Sequence, residues 1–389
     1  MRPSRLLLAV LPLLVAACAA APGPAAGATG SPVPPESSSA EPPKPSCVDT
    51  VLAGLDRRAT AGQLIVVGAP LAAAVGPSVD LVKRLPVGGV LLTGRSRSGV
   101  AAVAARTGAL QRAVTGRVGL LVAADQEGGQ VQTLTGPGFT AIPTAVEQGR
   151  WSTAKLTDAA AGWGGELKAA GVNLDLAPVS DVLSAQLGPS NLAVGVSRRT
   201  FGTEPAAVGS GVLAFSDGLS RAGVAAAVKH FPGLGQVRAN TDHTANVRDT
   251  TTDADSPWLE PFRRAITAGV PVVMVSSAVY TRIDATQPAA FSRPVVTDLL
   301  RTQLGFAGVV ISDDLGRAVA VAAVPAAQRA VRFVAAGGDL VLTVDPQTAG
   351  PMIDALVAKA ATDPEFAAAL TASARRVLDM KHAQGLLRC

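Results

Sequence analysis

The sequence predicts an α/β protein built as a single (β/α)8 barrel of the TIM type. Short β-branched runs alternate with alanine-rich helical stretches along the whole of 47–389. The candidate strands are near-continuous apolar runs without polar alternation, as in a parallel sheet covered by helices. Polar residues gather where those runs end, at Asp125, Asp181, Lys229-His230, Ser276-Ser277, Asp313 and Asp345. In a closed barrel the carboxyl ends of the strands converge on one mouth, where active sites are built.

Taken in order, a first strand is expected at 64–67 (Leu-Ile-Val-Val) and a second at 89–92. A helix over 101–114 leads to strand 120–124, which ends in Asp125. Helix 157–170 is stopped by Gly171 before strand 172–177, and helix 206–221 by Gly223 before strand 224–229. Helix 258–268 ends at Gly269 before strand 272–276, and helix 295–304 at Gly305 before strand 309–312. Helix 326–336 and strand 340–343 complete the set. Glycine is the usual residue just past a helix end because it enters the left-handed region without a Cβ penalty. Eight strands in strict alternation favour a closed barrel over an open doubly wound sheet. No Gly-x-Gly-x-x-Gly follows the first strand and no P-loop is present, which weakens dinucleotide and nucleotide readings.

The amino terminus has a different character. Arg2 and Arg5 precede a short apolar core over 6–15, too short for a stable membrane-spanning helix. Val15-Ala16-Ala17-Cys18 resembles the bacterial lipobox, which implies a signal peptide over 1–17 and lipidation of Cys18; the alternative is an ordinary signal peptide with an incidental cysteine. Residues 18–46 are mostly Ala, Pro, Gly and Ser and are expected to form a disordered tether. The expectation is an exported domain, 47–389, lipid-anchored on the outer face of the cell membrane.

Loss of Arg2 and Arg5 lowers the formal charge from +5 to +3, and basic and aromatic residues do not cluster, so no nucleic-acid partner is expected. Cys47 and Cys389 bracket the domain, and in an exported protein a disulfide between them is expected. His230, His243 and His382 show no zinc-type spacing, so no metal is expected.

Lys229-His230-Phe231-Pro232-Gly233-Leu234-Gly235 closes the apolar run 224–228. Lysine brings three donors, histidine a donor or acceptor, and the glycines permit close backbone approach, which suits a sugar pocket. A solvated strand end is the plainer alternative. Asp125-Gln126-Glu127-Gly128-Gly129 places a carboxylate at another strand end, where it can accept from two sugar hydroxyls or simply cap a loop. Asp175 reads as core or support, Asp181 as pocket or support, and Arg198-Arg199 as guanidinium donors before a helix or a surface pair. Asp313, in Ser312-Asp313-Asp314-Leu315, is the sharpest candidate. A partly desolvated carboxylate held by a strand can attack an anomeric carbon, whereas its plain alternative is a helix cap, the role expected of Asp314.

The Lys229–Gly235, Asp125–Gly129 and Ser312–Leu315 motifs, with Asn173-Leu174-Asp175-Leu176-Ala177-Pro178-Val179-Ser180-Asp181-Val182 as a fourth, together resemble family 3 glycoside hydrolases. The likeness is greatest to the single-domain bacterial β-N-acetylglucosaminidases that trim peptidoglycan fragments. It runs from Gly62-Gln63-Leu64 to Arg375-Arg376-Val377-Leu378. It implies a barrel without metal or cofactor and hydrolysis with retention. It also implies Asp313 as nucleophile, with substrate contacts from Asp125, Arg199, Lys229 and His230.

Two departures stand out. Thr133 occupies the place of a family arginine after the Asp-Gln-Glu-Gly-Gly motif, so one sugar contact is missing. The family's Asp-Ser/Thr-His triplet, which supplies the acid/base, aligns with Asn240-Thr241-Asp242, with His243 one place late. Asp242 or His243 could then be the acid/base, or neither acts and muropeptides are bound without turnover; the alignment leans slightly to Asp242. The expected function is that of a retaining β-N-acetylglucosaminidase acting as a monomer on muropeptides. The alternatives are a non-catalytic muropeptide-binding lipoprotein or a phosphorylase of the same fold.

Overall fold

The computed structural model describes residues 45–389, together with Gly23, and residues 45–389 form one compact unit. The expected signal peptide, Cys18 and nearly all of the tether lie outside the described residues. Eight parallel strands form the barrel: β1 (Ile65–Pro70), β2 (Gly89–Thr93), β3 (Leu121–Ala124), β4 (Leu174–Asp175), β5 (Ala225–Phe231), β6 (Val272–Val275), β7 (Val309–Ser312) and β8 (Val341–Thr343). Their order is β7-β6-β5-β4-β3-β2-β1-β8. A parallel bridge from Ile311 to Leu340 joins β7 to β8 and closes the ring.

The helices between strands are α1 (Gly76–Arg84), α2 (Gly99–Ala113), α3 (Thr153–Ala169), α4 (Pro205–Arg221), α5 (Glu260–Thr267), the π-wound α6 (Pro294–Gln303) and α7 (Ala326–Ala335). After β8 come α8 (Ala349–Thr362) and α9 (Pro364–Ala383). Gly171, Gly223, Gly269 and Gly305 stop their helices at φ between +71° and +79°, the left-handed turn the sequence pattern implied.

The strands read as unbroken apolar runs because both of their faces are buried. Leu121, Ala123, Ala225, Ala227, Val272, Met274, Val309 and Ile311 fill the barrel interior. The alternate residues, such as Val122, Ala226, Val273 and Val310, pack outward into the helix layer. Burying each large aliphatic side chain contributes about 1.5–3 kcal/mol. Strand β4 is shorter than the expected 172–177. Asn173 spends its side chain on its neighbour, its Oδ1 accepting from Val122 N at 2.8 Å and its amide donating to Leu120 O at 3.2 Å. These side-chain bonds add to its backbone pairing, in which Asn173 N donates to Val122 O at 3.0 Å and Asn173 O accepts from Ala225 N at 3.0 Å.

The barrel floor is plugged by α9, whose Val377 and Met380 join the interior cluster. Next to them Lys381 is buried, donating to Gln63 Oε1 at 2.6 Å and Gly119 O at 2.9 Å, and burial pushes its ammonium down to about 7. The first helix of the domain, Cys47–Ala53, packs on α9. Cys47 and Cys389 meet there with Cα atoms 5.4 Å apart, a separation a disulfide spans. The sulfurs of both and a ring nitrogen of His382 lie within 4.8 Å of one another, a grouping the sequence spacing did not reveal. No helix among the described residues is long and apolar enough to cross a membrane.

Candidate active site

A cavity of about 540 Å3 opens at the carboxyl end of the strands. Asp125, Arg199, Lys229, His230, Asp242, His243 and Asp313 all line it, so every residue expected from the sequence to act on substrate is in one place.

Strands β3 and β5 deliver the centre of the site. Lys229 Nζ lies 2.6 Å from both Asp125 Oδ1 and Glu127 Oε1. Glu127 also grips Arg199 in a fork, with Arg199 Nε donating to Oε2 at 2.8 Å and Nη2 to Oε1 at 2.7 Å. Two cations and two carboxylates thus neutralise one another in a water-poor wall. Burial alone would raise the Glu127 pKa, but the opposing charges of Arg199 and Lys229 prevail and hold it at about 2. The same partners outweigh burial for Lys229 and Arg199 and raise both. Glu127, Lys229 and Arg199 therefore stay ionised, and the Asp125 carboxylate, about a third exposed, faces the cavity as an acceptor.

His230 is held in a defined tautomer. Arg199 Nη2 donates to its Nε2 at 3.3 Å, which leaves the proton on Nδ1, donated to Asp181 Oδ2 at 2.8 Å. The other Asp181 oxygen accepts from the backbone amides of His230 at 3.1 Å and Leu234 at 2.9 Å. Fully buried Asp181 therefore supports the site and does not line it. Tyr280 braces the same turn, donating to Gly233 O at 2.8 Å.

Asp313 follows β7 directly, and its backbone amide is tied to Val275 O of β6 at 3.0 Å. One carboxylate oxygen accepts from Asp314 N at 2.8 Å, leaving the group free to face the cavity. Burial, then repulsion by Asp242, raises its pKa to about 6, with His230 opposing the rise. Asp314 caps a turn and not the helix expected for it: its oxygens accept from the amides of Gly316, Arg317 and Val344 at 2.8–2.9 Å.

Asp242 and His243 are exposed on the loop that follows β5. That loop is pinned to the segment after β7 through Ala320 N to Thr241 O at 3.0 Å and Val319 N to Asp242 O at 3.3 Å. The pinning places Asp242 near enough to Asp313 for their charges to interact. Thr133 is buried, and its amide donates to Asp125 O at 3.0 Å, so it stays within the framework behind Asp125. Asp175 lies buried beneath the cluster. Its Oδ1 accepts from Gln126 N at 3.0 Å, its Oδ2 has no protein partner, and burial raises its pKa to about 8.

Sequence reasoning left Glu127 out of the candidate set. The signal was present, since a carboxylate two residues beyond Asp125 in an extended segment shares its face. Among the described residues, the one converging group of three or more Cys, His, Asp or Glu donors within metal-binding distance is Cys47, His382 and Cys389, outside this cavity.

The profile of the glycosyl hydrolase family 3 N-terminal domain matches residues 58–380. A beta-hexosaminidase of Bordetella pertussis is 36% identical over 283 residues, covering 69% of this chain and 76% of that protein. The crystal structure of a beta-N-acetylhexosaminidase from Beutenbergia cavernae superimposes with a TM-score of 0.83 at 48% identity, covering 85% of this chain and 99% of that one. The Mycobacterium tuberculosis protein LpqI superimposes with a TM-score of 0.74 at 28% identity, over 85% of this chain and 94% of its own.

Proposed function

The chain belongs to glycoside hydrolase family 3 and is a β-N-acetylhexosaminidase, and from that premise we propose that it removes terminal N-acetylglucosamine, with retention, from peptidoglycan-derived muropeptides. The observation that carries the catalytic reading is the placement of Asp313 at the end of β7, facing a cavity shared with Asp242.

Asp313 attacks C1 of the terminal sugar as an ionised carboxylate and forms a glycosyl ester. The leaving oxygen takes its proton from the acid/base, assigned to Asp242, with His243 beside it as the rival. The same group then removes a proton from the water that hydrolyses the ester. Asp125 accepts from sugar hydroxyls, Lys229 and Arg199 donate, and the His230 ring lines the pocket beside them with Nε2 as its acceptor. The Asp181–His230 and Glu127–Arg199–Lys229 contacts fix those groups before substrate arrives, so little reorganisation is needed in the transition state.

Lipidation at Cys18 and residues 18–46 would hold the enzyme at the outer face of the membrane, close to its wall-derived substrate. The decisive experiment presents a nitrophenyl β-N-acetylglucosaminide, the matching β-glucoside, and muropeptides from a muramidase digest. Cleavage of the first and third, with release of free N-acetylglucosamine in phosphate-free buffer, is expected. A muropeptide pool left intact by enzyme active on the nitrophenyl sugar would reject the proposed substrate. A requirement for phosphate would make the protein a phosphorylase.

A further inference from the structure

The catalytic cavity has a wall that the terminal sugar does not use. Asp125, Arg199, Lys229 and His230 line the side of the sugar that is cleaved off. Asp242 and His243, on the loop after β5, line another side together with Arg317 and Ala318, on the segment after β7. Val319 N to Asp242 O at 3.3 Å and Ala320 N to Thr241 O at 3.0 Å bind these two segments into one wall. With Asp242 protonating the leaving oxygen, this wall borders the sugar that departs.

Three lysine and arginine side chains line the cavity, and two of them are spent. Lys229 and Arg199 are committed to Asp125 and Glu127. Arg317 differs. Its backbone amide is fixed to Asp314 Oδ2 at 2.9 Å, which anchors the residue at the rim. Its side chain is 67% exposed, and the one carboxylate paired with it among the described residues, Asp345 Oδ2, stands 3.8 Å from Nε, beyond hydrogen-bond length. The guanidinium fork is therefore available to a ligand. Around it the cavity is acidic, with Asp242, Asp313 and Asp314 in the lining. A negatively charged leaving sugar is repelled there except where its charge meets Arg317, whose planar fork matches a carboxylate.

We propose that Arg317 selects the leaving sugar by binding a carboxylate that it carries, so that the enzyme favours muramic-acid aglycones over neutral ones. The inference deepens the muropeptide reading and rests on it. In a muropeptide the glycosidic oxygen is on C4 of the muramic acid and the lactyl ether is on the adjacent C3. The lactyl group thus hangs beside the oxygen that Asp242 protonates, on the side of the cavity where Arg317 stands. The carboxylate has two sources. One is the lactyl group itself, free once an amide-hydrolysing reaction has removed the peptide. The other is a carboxylate of the attached peptide, further out along the same arm.

The test measures kcat and KM on three disaccharides with β-1,4-linked N-acetylglucosamine at the non-reducing end. The first ends in N-acetylmuramic acid. The second carries a dipeptide with a free carboxylate, amide-linked to the lactyl group. The third, N,N′-diacetylchitobiose, is neutral. Wild type is expected to prefer one or both charged substrates over the neutral one by about tenfold or more in kcat/KM, as a charge-assisted hydrogen bond supplies. Arg317→Gln should bring that ratio to within about twofold of one, mainly through KM, because the contact exists before and during reaction alike. Arg317→Lys, which keeps the charge and loses the fork, should retain part of the preference. The ratio is internal to each variant, so any loss of folded enzyme cancels. Preference for the free acid over its dipeptide form assigns the lactyl carboxylate, and the reverse order assigns the peptide's. A wild-type ratio near one, or a preference that survives Arg317→Gln, overturns the role of Arg317 and leaves the hydrolase reading standing. Enzyme that cleaves chitobiose and neither muramic substrate rejects the muropeptide reading and this inference with it, and enzyme inert even on a nitrophenyl β-N-acetylglucosaminide removes the hydrolase reading itself.

Discussion

Glu127 is the residue whose loss should be felt most widely, because one carboxylate holds two buried cations. In Glu127→Gln, Lys229 Nζ and Arg199 keep their positions but lose their common anion, and the nitrogen of the introduced amide meets a donor whichever way the group is turned. The four-charge cluster of Asp125, Glu127, Arg199 and Lys229 changes from neutral to one uncompensated positive charge. Breaking a buried ion pair from one side costs about 3–5 kcal/mol. An independent figure agrees: a carboxyl held at about 2 in place of 4.5 is worth about 3 kcal/mol in the folded state. Because folding depresses this pKa, the stabilisation is complete above the ordinary value and is lost as pH falls towards about 2. At about 2.1 cal/mol/K per residue, a domain spanning Pro45–Cys389 unfolds with an entropy near 0.7 kcal/mol/K, so the variant should melt roughly 4–7 °C lower. Thermal unfolding at pH 7 followed by circular dichroism reads this directly, and kcat/KM should fall as Lys229 and Arg199 lose their fixed aim. A melting point within 1 °C of wild type, with unchanged kcat/KM, would refute the view that Glu127 organises the site.

Asp313→Asn should lower kcat by about 10⁴-fold or more with the fold intact, since an amide cannot form the glycosyl ester; a variant keeping a tenth of the activity would sink the assignment. Asp314→Asn should act mainly on stability, by about 1–3 kcal/mol, because its oxygens hold three backbone amides of the turn. Asp242→Ala should spare the first step on a nitrophenyl sugar, slow the second, and recover turnover with azide as the glycosyl azide; the same signature in His243→Ala alone would transfer the role. The acid limb of kcat/KM should fall through a pKa of about 6, as Asp313 must be ionised to attack and burial raises its pKa; a limb at the ordinary aspartate value would reject this. Non-reducing peptide mapping of secreted protein should recover Cys47 joined to Cys389, a link across 342 positions worth about 6 kcal/mol in the chain-entropy model; two free thiols would reject it.

The barrel was legible in the sequence because its determinants are local. Unbroken runs such as Val309-Val310-Ile311 need burial on both faces, the helix-ending glycines mark each return, and strand-end polar residues must share one mouth once the ring closes. The residues that meet in the cavity were legible for the same reason, since Asp125, Lys229-His230 and Asp313 lie at strand ends. The tertiary structure decided what depends on distances between segments far apart in the chain. Nothing near Glu127 in sequence says that Arg199 and Lys229 will both turn to it. Nor does the stretch around Asp181 say that its two oxygens will hold the ring and the backbone of His230. Asp314 looked like a helix cap because its type and position suit one, and only the path of 315–318 and the approach of Val344 make it the brace of a turn. The strand ends are written in local hydrophobic pattern and chain stiffness, whereas charge pairing and the placement of Asp242 beside Asp313 emerge only when packing brings separate loops together.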